Sequence, residues 1–264
     1  EVFAAAVIAL DSERDDWLAT VIETVSAAPD AAVGLVSALG WVPRERLKGR
    51  VIDWLRSDDP LLRRVGLCAC TVQGVDCGTH LASLIEDADP NVRAAALRHS
   101  GVIRRRDLLP AVAACLNDQD PECAFRAAWS AVLLSERAGL PALQRLAASN
   151  EPYAETSLQL LLRALPHRDA VDWVRDLKQQ PESGRRVIQA TGIIGDPVSV
   201  PWLIEQMAEP ALARVARYSG RTPMSPNRGP VGLRHIRTSP TYLPVRVSIF
   251  IRSPSSINGG TWST

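Results

Sequence analysis

A proline recurs along this chain at a nearly constant interval. It is followed each time by an Ala- and Arg-rich run, and it stands at positions 29, 60, 90, 121, 152, 181 and 210. The intervals are 31, 30, 31, 31, 29 and 29 residues. A period of this length is typical of a solenoid that adds one helical hairpin per repeat. The period therefore constrains the fold more than any single residue does.

The run after each proline predicts an amphipathic second helix. Counted from the proline, positions 2, 6, 9 and 10 are small or apolar in nearly every repeat, and they share one helical face because an α-helix has 3.6 residues per turn. Gly40, Gly101 and Gly192 occupy position 11, where we expect each helix to end in a left-handed glycine cap. First helices are predicted before the prolines, over 13–28, 44–57, 79–88, 107–117, 139–149, 168–180 and 198–208.

These patterns predict an all-α fold, a right-handed α-solenoid of about seven helical hairpins over residues 1–216. The first helices are expected to form an outer, convex layer and the second helices an inner, concave layer. The chain begins at Glu1 without a methionine, and residues 2–10 already look like a second helix. We therefore expect the domain to be truncated at its N-terminus.

Residues 217–264 do not continue the repeat. From position 218 onward the chain holds six arginines, no lysine and no acidic residue. The preceding residues hold 24 basic and 29 acidic residues, so the body is mildly acidic and the tail basic. We expect an irregular or disordered basic tail, because this composition is poor in material for a packed core. We interpret it as a frame-shifted, non-native ending.

Two segments, 89–97 (DPNVRAAAL) and 108–121 (LLPAVAACLNDQDP), resemble HEAT repeats of the short bacterial, PBS-lyase-like kind. The resemblance covers about residues 1–216 and implies a HEAT-like superhelix. More narrowly, Glu1–Leu10, Gly34–Pro43 and Thr191–Ala216 resemble an uncharacterised proteobacterial HEAT-repeat family that is often encoded near type VI secretion genes. That resemblance implies a cytoplasmic interaction protein and supplies no catalytic residues.

The cysteines and histidines are interpreted as packed side chains. The five cysteines, at 68, 70, 77, 115 and 123, show no disulfide framework, which favours reduced thiols in a cytoplasm. Cys68, Cys70 and Cys77 could offer three thiolates to a metal. However, Cys70 falls in a column filled elsewhere by small or apolar residues, where cysteine packs as a small hydrophobe. His99 also falls in such a column and is expected to be packed and hydrogen-bonded. We predict no metal and no cofactor.

The arginines near the start of the second helices allow two interpretations. They form a column at Arg63, Arg64, Arg93, Arg126, Arg185, Arg186 and Arg214. One interpretation is a ladder in which each guanidinium binds a loop carboxylate of the same or the next repeat, since the planar fork of arginine suits carboxylates. The candidate carboxylates are Asp59, Asp89, Asp118 and Asp120. The other is a basic stripe for an acidic partner or a phosphate backbone. We favour the ladder, because the acidic body argues against nucleic-acid binding.

The sequence favours non-catalytic binding of another protein along the concave surface, as a scaffold or accessory to a bacterial secretion system. Nucleic-acid binding is not expected, and no run is apolar enough for a membrane span. The alternative is a HEAT-like enzyme or enzyme subunit, either phycobilin-lyase-like or DNA-glycosylase-like. We expect exposed residues of the second helices, together with one irregular tryptophan, to bind the partner: Arg64, Arg98, Arg126, Trp129, Gln159, Gln189 and Trp41.

Overall fold

The computed structural model describes residues 1–135, 137–149, 153–180 and 183–219. These residues are mostly helical, and no strand occurs among them. They divide into two compact units, here called unit 1 (residues 1–135) and unit 2 (the described residues from 137 to 219).

Unit 1 consists of consecutive helical hairpins preceded by a single second helix, α1. Its helices are α1 Val2–Asp11, α2 Asp15–Ala27, α3 Ala32–Trp41, α4 Arg50–Leu55, α5 Pro60–Gln73, α6 His80–Ile85, α7 Pro90–Ile103, α8 Leu109–Ala114 and α9 Pro121–Ser135. Short 3₁₀ turns precede several of them, at 29–31, 44–46 and 106–108. The first helices α4 and α8 are shorter than the spans expected from sequence, because the turns at 44–46 and 106–108 take up part of each span, and α6 is also shorter than its expected span.

The repeat prolines begin the second helices α5, α7 and α9, and an aspartate caps each of these helices. The Asp59 and Asp89 carboxylates accept hydrogen bonds from the amides of Leu61 (2.8 Å) and Asn91 (2.8 Å). The Asp120 carboxylate likewise accepts a hydrogen bond from the amide of Cys123 (2.9 Å). Proline at the first helical position removes an amide that would have no partner there. The Asp-Pro dipeptide therefore fixes where each of these helices starts.

The second helices of unit 1 stack in chain order. Within unit 1, α1 contacts α3, α3 contacts α5, α5 contacts α7 and α7 contacts α9, while α4, α6 and α8 each pack on the second helix of their own hairpin. The core between the two layers is built from small and branched apolar residues, among them Leu39, Leu67, Leu97 and Ala127. This is the arrangement of an α-solenoid, in which each repeat buries its apolar face against its neighbour.

The glycines at position 11 do not cap helices, so that prediction was wrong. Gly101 and Gly40 lie inside α7 and α3. A Cβ atom added to Gly101 would lie 2.6 Å from Ser130 Oγ and 2.9 Å from Ser130 Cα, so glycine is there because α7 and α9 approach closely. The left-handed caps lie three residues later, at Gly74 (φ 65°) and at Arg104 (φ 61°).

Unit 2 repeats the same pattern. Its helices are α10 Leu140–Ala148, α11 Ala154–Ala164, α12 His167–Leu177, α13 Gly184–Ile194, α14 Val200–Gln206 and α15 Ala213–Ser219. The second helices α11, α13 and α15 contact one another in order, and α10, α12 and α14 pack on them. Gly192 of α13 is within the helix as well, and an added Cβ atom would lie 2.7 Å from Ser219 Cα.

The predicted all-α solenoid of helical hairpins is confirmed, with second helix on second helix inside each unit. The last described helix, α15, runs to Ser219, three residues past the predicted end of the solenoid at 216. The predicted irregular tail from 220 to 264 lies outside the described residues. Among the helices that the structure describes, none is both long enough and apolar enough to cross a membrane.

Candidate functional site

Two arginines of unit 1 form a ladder with carboxylates of the following loop. Arg63 donates from Nε and Nη2 to the two carboxylate oxygens of Asp87, at 2.7 and 2.9 Å. Arg93 makes the same pair of hydrogen bonds with Asp118, both at 3.0 Å. The remaining Nη1 of each arginine donates to two backbone carbonyls of the loop before its own helix. We call these two pairs the arginine ladder.

The ladder carboxylates also order their own loops. Asp87 and Asp118 accept the amides of Asp89 and Asp120 at 2.9 Å, two residues further on. Partial burial alone would raise the pKa of Asp87, but the hydrogen bonds from Arg63 and from the Asp89 amide outweigh it and lower this pKa below its ordinary value. The ladder interpretation is thus confirmed for Arg63 and Arg93, but of the expected carboxylates only Asp118 takes part. Asp59, Asp89 and Asp120 accept amides at the starts of helices instead, and Asp87 is the partner of Arg63. Each of these arginines ties its repeat to the next one.

Three other arginines of unit 1 come together on the opposite side of the second helices. Arg64 of α5, Arg98 of α7 and Arg126 of α9 all lie near the Cys68 thiol, and we call them the arginine cluster. Arg126 forms an ion pair with Glu122 of its own helix, at 3.0 Å. The guanidinium groups of Arg64 and Arg98 have no hydrogen bond or ion pair with any described residue.

Burial and like charge act together on Arg98. Its side chain is half-buried in the surface between α5 and α9, and the first cause of its lowered pKa is desolvation, followed by the positive charge of Arg126. An arginine keeps its proton even so. Desolvation also raises the pKa of the neighbouring Cys68, although the cluster arginines oppose the rise. Arg98 is therefore a cation held in place without an anion bound to it.

The residues expected to bind a partner are less exposed than the sequence suggested. Arg64, Arg98, Arg126 and Trp129 are all partly buried, because neighbouring second helices pack close beside them. Trp41 differs, with 73% of its surface exposed at the end of α3.

Trp41 belongs to a small apolar surface. Its indole meets the ring of Phe3 edge to face, with 6.0 Å between ring centroids. Val72, also exposed, lies beside Gly40, since a Cβ atom at that glycine would be 3.5 Å from Val72 Cβ. Val72 lies four residues after Cys68 and eight after Arg64, so it shares their face of α5. The apolar surface and the arginine cluster are thus parts of one face.

Gln159 and Gln189 come together in unit 2. They line an open groove of about 310 Å³ that runs across α11, α13 and α15, together with Glu155, Arg185 and Arg214. Gln189 Nε2 donates to Glu155 Oε1 at 3.3 Å. This groove occupies the same layer of second helices as the arginine cluster does in unit 1, and it is lined by amides and charges of both signs.

The cysteines separate into two environments that the sequence did not distinguish. Cys68 lies at the arginine cluster, whereas Cys70 and Cys77 lie together with His99 in the buried layer. The three-thiolate grouping of Cys68, Cys70 and Cys77 does not form. A hydrogen bond with Cys70 is the first cause of a lowered pKa at Cys77, and contact with His99 acts in the same direction.

Comparison with known proteins points to one family. Residues 79–163 match a family model described as HEAT repeats. This part of the chain resembles HEAT repeats. The match extends from α6 into α11 and covers about a third of the chain. No curated protein matches the sequence. The HEAT-like fold agrees with the hairpin stacking seen in each unit, and repeats of this kind generally mediate contacts between proteins.

Proposed function

We propose that this protein is a non-catalytic scaffold that holds an acidic segment of a partner protein against the arginine cluster of unit 1. The observation that carries the proposal is Arg98, whose charge is partly desolvated and forms no ion pair with a described carboxylate, since the nearby Glu122 is paired with Arg126. A half-buried charge without a counterion is costly, and a carboxylate supplied by a partner would relieve that cost. The Arg98 site is therefore suited to acidic side chains.

The rest of the cluster extends this surface along successive repeats. The guanidinium of Arg64 is a second one that binds no described carboxylate. The guanidinium of Arg126 is already hydrogen-bonded to Glu122. Because they stand on consecutive second helices, an extended peptide could meet one cation on each repeat. Several modest contacts along a single chain then add to a useful affinity.

The apolar surface supplies the second element of the proposal. Exposed aromatic side chains are frequent anchors in protein interfaces, and Trp41 is the most exposed of the large apolar residues of unit 1. We propose that an apolar residue of the same partner packs on Phe3 and Trp41 while its acidic residues reach the arginine cluster. Gln159 and Gln189 line a further proposed contact, in the groove of unit 2.

The resemblance seen in the sequence supports a finer form of this proposal. A partner from a bacterial secretion system, and a cytoplasmic location, would fit the proteobacterial family that residues 191–216 resemble. The enzyme alternative requires a catalytic carboxylate within the basic surface. Glu122 is the carboxylate placed there, and its ion pair with Arg126 is better suited to a structural role.

A direct test uses fluorescently labelled peptides and the full chain. We expect a Glu-rich peptide with one Trp or Leu residue to bind, and its Gln-rich counterpart to bind at least about tenfold more weakly. The variant Arg98→Gln should lose at least about tenfold in affinity for the Glu-rich peptide. Arg56→Gln is the matched control, because Arg56 is an exposed arginine beside α4, on the first-helix layer.

Two outcomes would overturn the proposal. Equal affinities of the wild-type chain and Arg98→Gln would show that the cluster does not recognise acidic residues. The proposal would also fail if duplex DNA bound more tightly than the Glu-rich peptide and if Arg98→Gln abolished that DNA binding. The arginine cluster would then be a site for a phosphate backbone.

A further inference from the structure

We propose that Asp76, Cys77 and His99 form a structural zinc site in unit 1. Asp76 and Cys77 lie in the turn that links α5 to α6, and His99 lies on α7, in the next repeat. One ligand atom from each residue lies within 4.8 Å of the other two. Tetrahedral zinc holds such atoms roughly 3.3–3.8 Å apart, so a small inward movement would suffice.

The hydrogen bonds of His99 leave one ring nitrogen ready for a metal. The Thr71 hydroxyl donates its single proton to the Leu67 carbonyl at 2.7 Å. Its oxygen must therefore accept the 2.9 Å hydrogen bond that joins it to His99 Nδ1, which places the imidazole proton on Nδ1. Nε2 then carries a lone pair. It is fully buried and forms no hydrogen bond of normal geometry with any described residue, and the Cys77 thiol is close enough for His99 to lower its pKa.

This arrangement is the one that metal-binding histidines usually have. A ligating imidazole normally donates its other N–H to an oxygen, which fixes the ring and its tautomer. In this protein the Thr71 hydroxyl oxygen accepts the hydrogen bond from His99 Nδ1. Because Nδ1 donates to Thr71, Nε2 is the ring nitrogen available to coordinate a metal together with Cys77. A buried acceptor without a partner is costly, and coordination of a cation would remove that cost.

Asp76 is oriented in a comparable way. Its Oδ1 accepts the Gly78 amide at 2.8 Å, and both carboxylate oxygens lie 3.1 Å from Arg105 Nη1. Hydrogen bonds of this type hold a ligating carboxylate in place, and Oδ2, which accepts only from Arg105, keeps a lone pair for the metal. Asp76 is also the most exposed of the three residues and lies where an ion would enter.

The chemistry of the set favours zinc over the harder divalent ions. Thiolate and imidazole ligands select zinc, whereas magnesium and calcium prefer sites made of oxygen alone. Cys70 is fully buried and its thiol interacts with Cys77, but its sulfur is outside the group of three mutually close ligand atoms, so its side chain would have to move to become the fourth ligand. A closed set of four ligands is typical of structural zinc sites. The ion would join the turn after α5 to α7 and so tie two repeats together.

The test titrates the reduced full chain with Co²⁺ and Zn²⁺. We expect one equivalent of Co²⁺ to produce thiolate charge-transfer absorption, one equivalent of Zn²⁺ to displace it, and Zn²⁺ to raise the melting temperature by several degrees. Cys77→Ser should lower the absorption by at least about half, because Cys70 is the one other described thiol beside the site, and should weaken Zn²⁺ binding by at least about 100-fold. Cys115→Ser is the control, since Cys115 lies outside this cluster and should leave both signals unchanged.

A second variant keeps the test decisive if Cys77→Ser does not fold. Asp76→Asn changes a partly exposed residue and should weaken Zn²⁺ binding by at least about tenfold while the helical circular dichroism is retained. A reduced, folded wild-type chain that binds no Zn²⁺ at micromolar concentrations would overturn the proposal. Binding that is equal in wild type and Asp76→Asn would also overturn it. Neither result affects the peptide experiment on Arg98.

Discussion

Arg63 and Arg64 are consecutive in the sequence and lie in opposite electrostatic environments. Arg63 is held by both oxygens of Asp87 and by two backbone carbonyls. Arg64 faces the side of α5 where Cys68 and Arg98 lie, and no carboxylate binds it. The helix places adjacent residues about 100° apart, so one position meets the next loop and the other meets the open surface. Arginine abundance in this chain therefore serves two purposes, repeat coupling and surface charge.

The largest expected effect comes from removing a ladder carboxylate. Asp87→Ala leaves the guanidinium of Arg63 half-buried without its anion and also removes the acceptor of the Asp89 amide. We expect the free energy of unfolding to fall by about 2–4 kcal/mol. Urea unfolding followed by circular dichroism measures this. Asp53→Ala, an exposed aspartate of α4, should change it by less than about 0.5 kcal/mol.

The next prediction compares Arg93 of the arginine ladder with Arg98 of the arginine cluster. Arg93→Leu removes the ion pair with Asp118 and should destabilise the chain by about 2 kcal/mol. Arg98→Leu puts an apolar group in place of a half-buried cation that forms no ion pair with a described residue. It should be neutral or stabilise by up to about 1 kcal/mol. Melting curves of the two variants would contradict the comparison if Arg98→Leu were the more damaging.

Acid should weaken the ladder and leave the cluster unchanged. The folded-state pKa values of Asp87 and Asp118 lie below the pKa of an aspartate in the unfolded chain, and that reference pKa is about 3.9. Their contribution to stability is therefore complete above that value and is lost as pH falls through the lower folded-state pKa. We expect the double variant Asp87→Asn, Asp118→Asn to depend less steeply on pH between about 5 and 2. An unchanged slope would show that the ladder carboxylates do not contribute to acid unfolding.

The smallest expected effect on stability is that of Arg64→Gln. This arginine has no hydrogen-bonded partner among the described residues, so we expect a change of less than about 0.5 kcal/mol. Affinity for the Glu-rich peptide should nevertheless fall severalfold, since one cation of the cluster is lost. A clear loss of stability would mean that Arg64 has a structural role after all.

Much of this architecture could be predicted from the proline period and the apolar columns, because each repeat obeys the same local rules. Asp118 is among the carboxylates expected in the ladder, and Asp87 could have been found as well. Asp87 and Asp118 each stand two residues before the capping aspartate, and this Asp-x-Asp-Pro spacing recurs in adjacent repeats. The signal is lost in unit 2, where Ala208-Glu209-Pro210 offers no such aspartate.

The remaining features depend on contacts between repeats that a single period does not reveal. Cys68 and Cys70 are two residues apart, so a helix turns them to opposite sides, one toward Arg98 and the other toward Cys77. His99 reaches the turn of the preceding repeat, at a separation in sequence that depends on how the helices stack. The position 11 glycines were misassigned for the same reason, since close helix packing and helix termination favour the same residue.

The most direct test of the account compares Arg63→Gln with Arg98→Gln in one binding experiment. Both variants remove a single positive charge from unit 1, so their effects on net charge are identical. We predict that Arg98→Gln binds the Glu-rich peptide at least about tenfold more weakly with an unchanged melting temperature. Arg63→Gln should bind it normally while melting several degrees lower. Equal losses of affinity in the two variants would show that acidic peptides respond only to net charge, which would contradict the account.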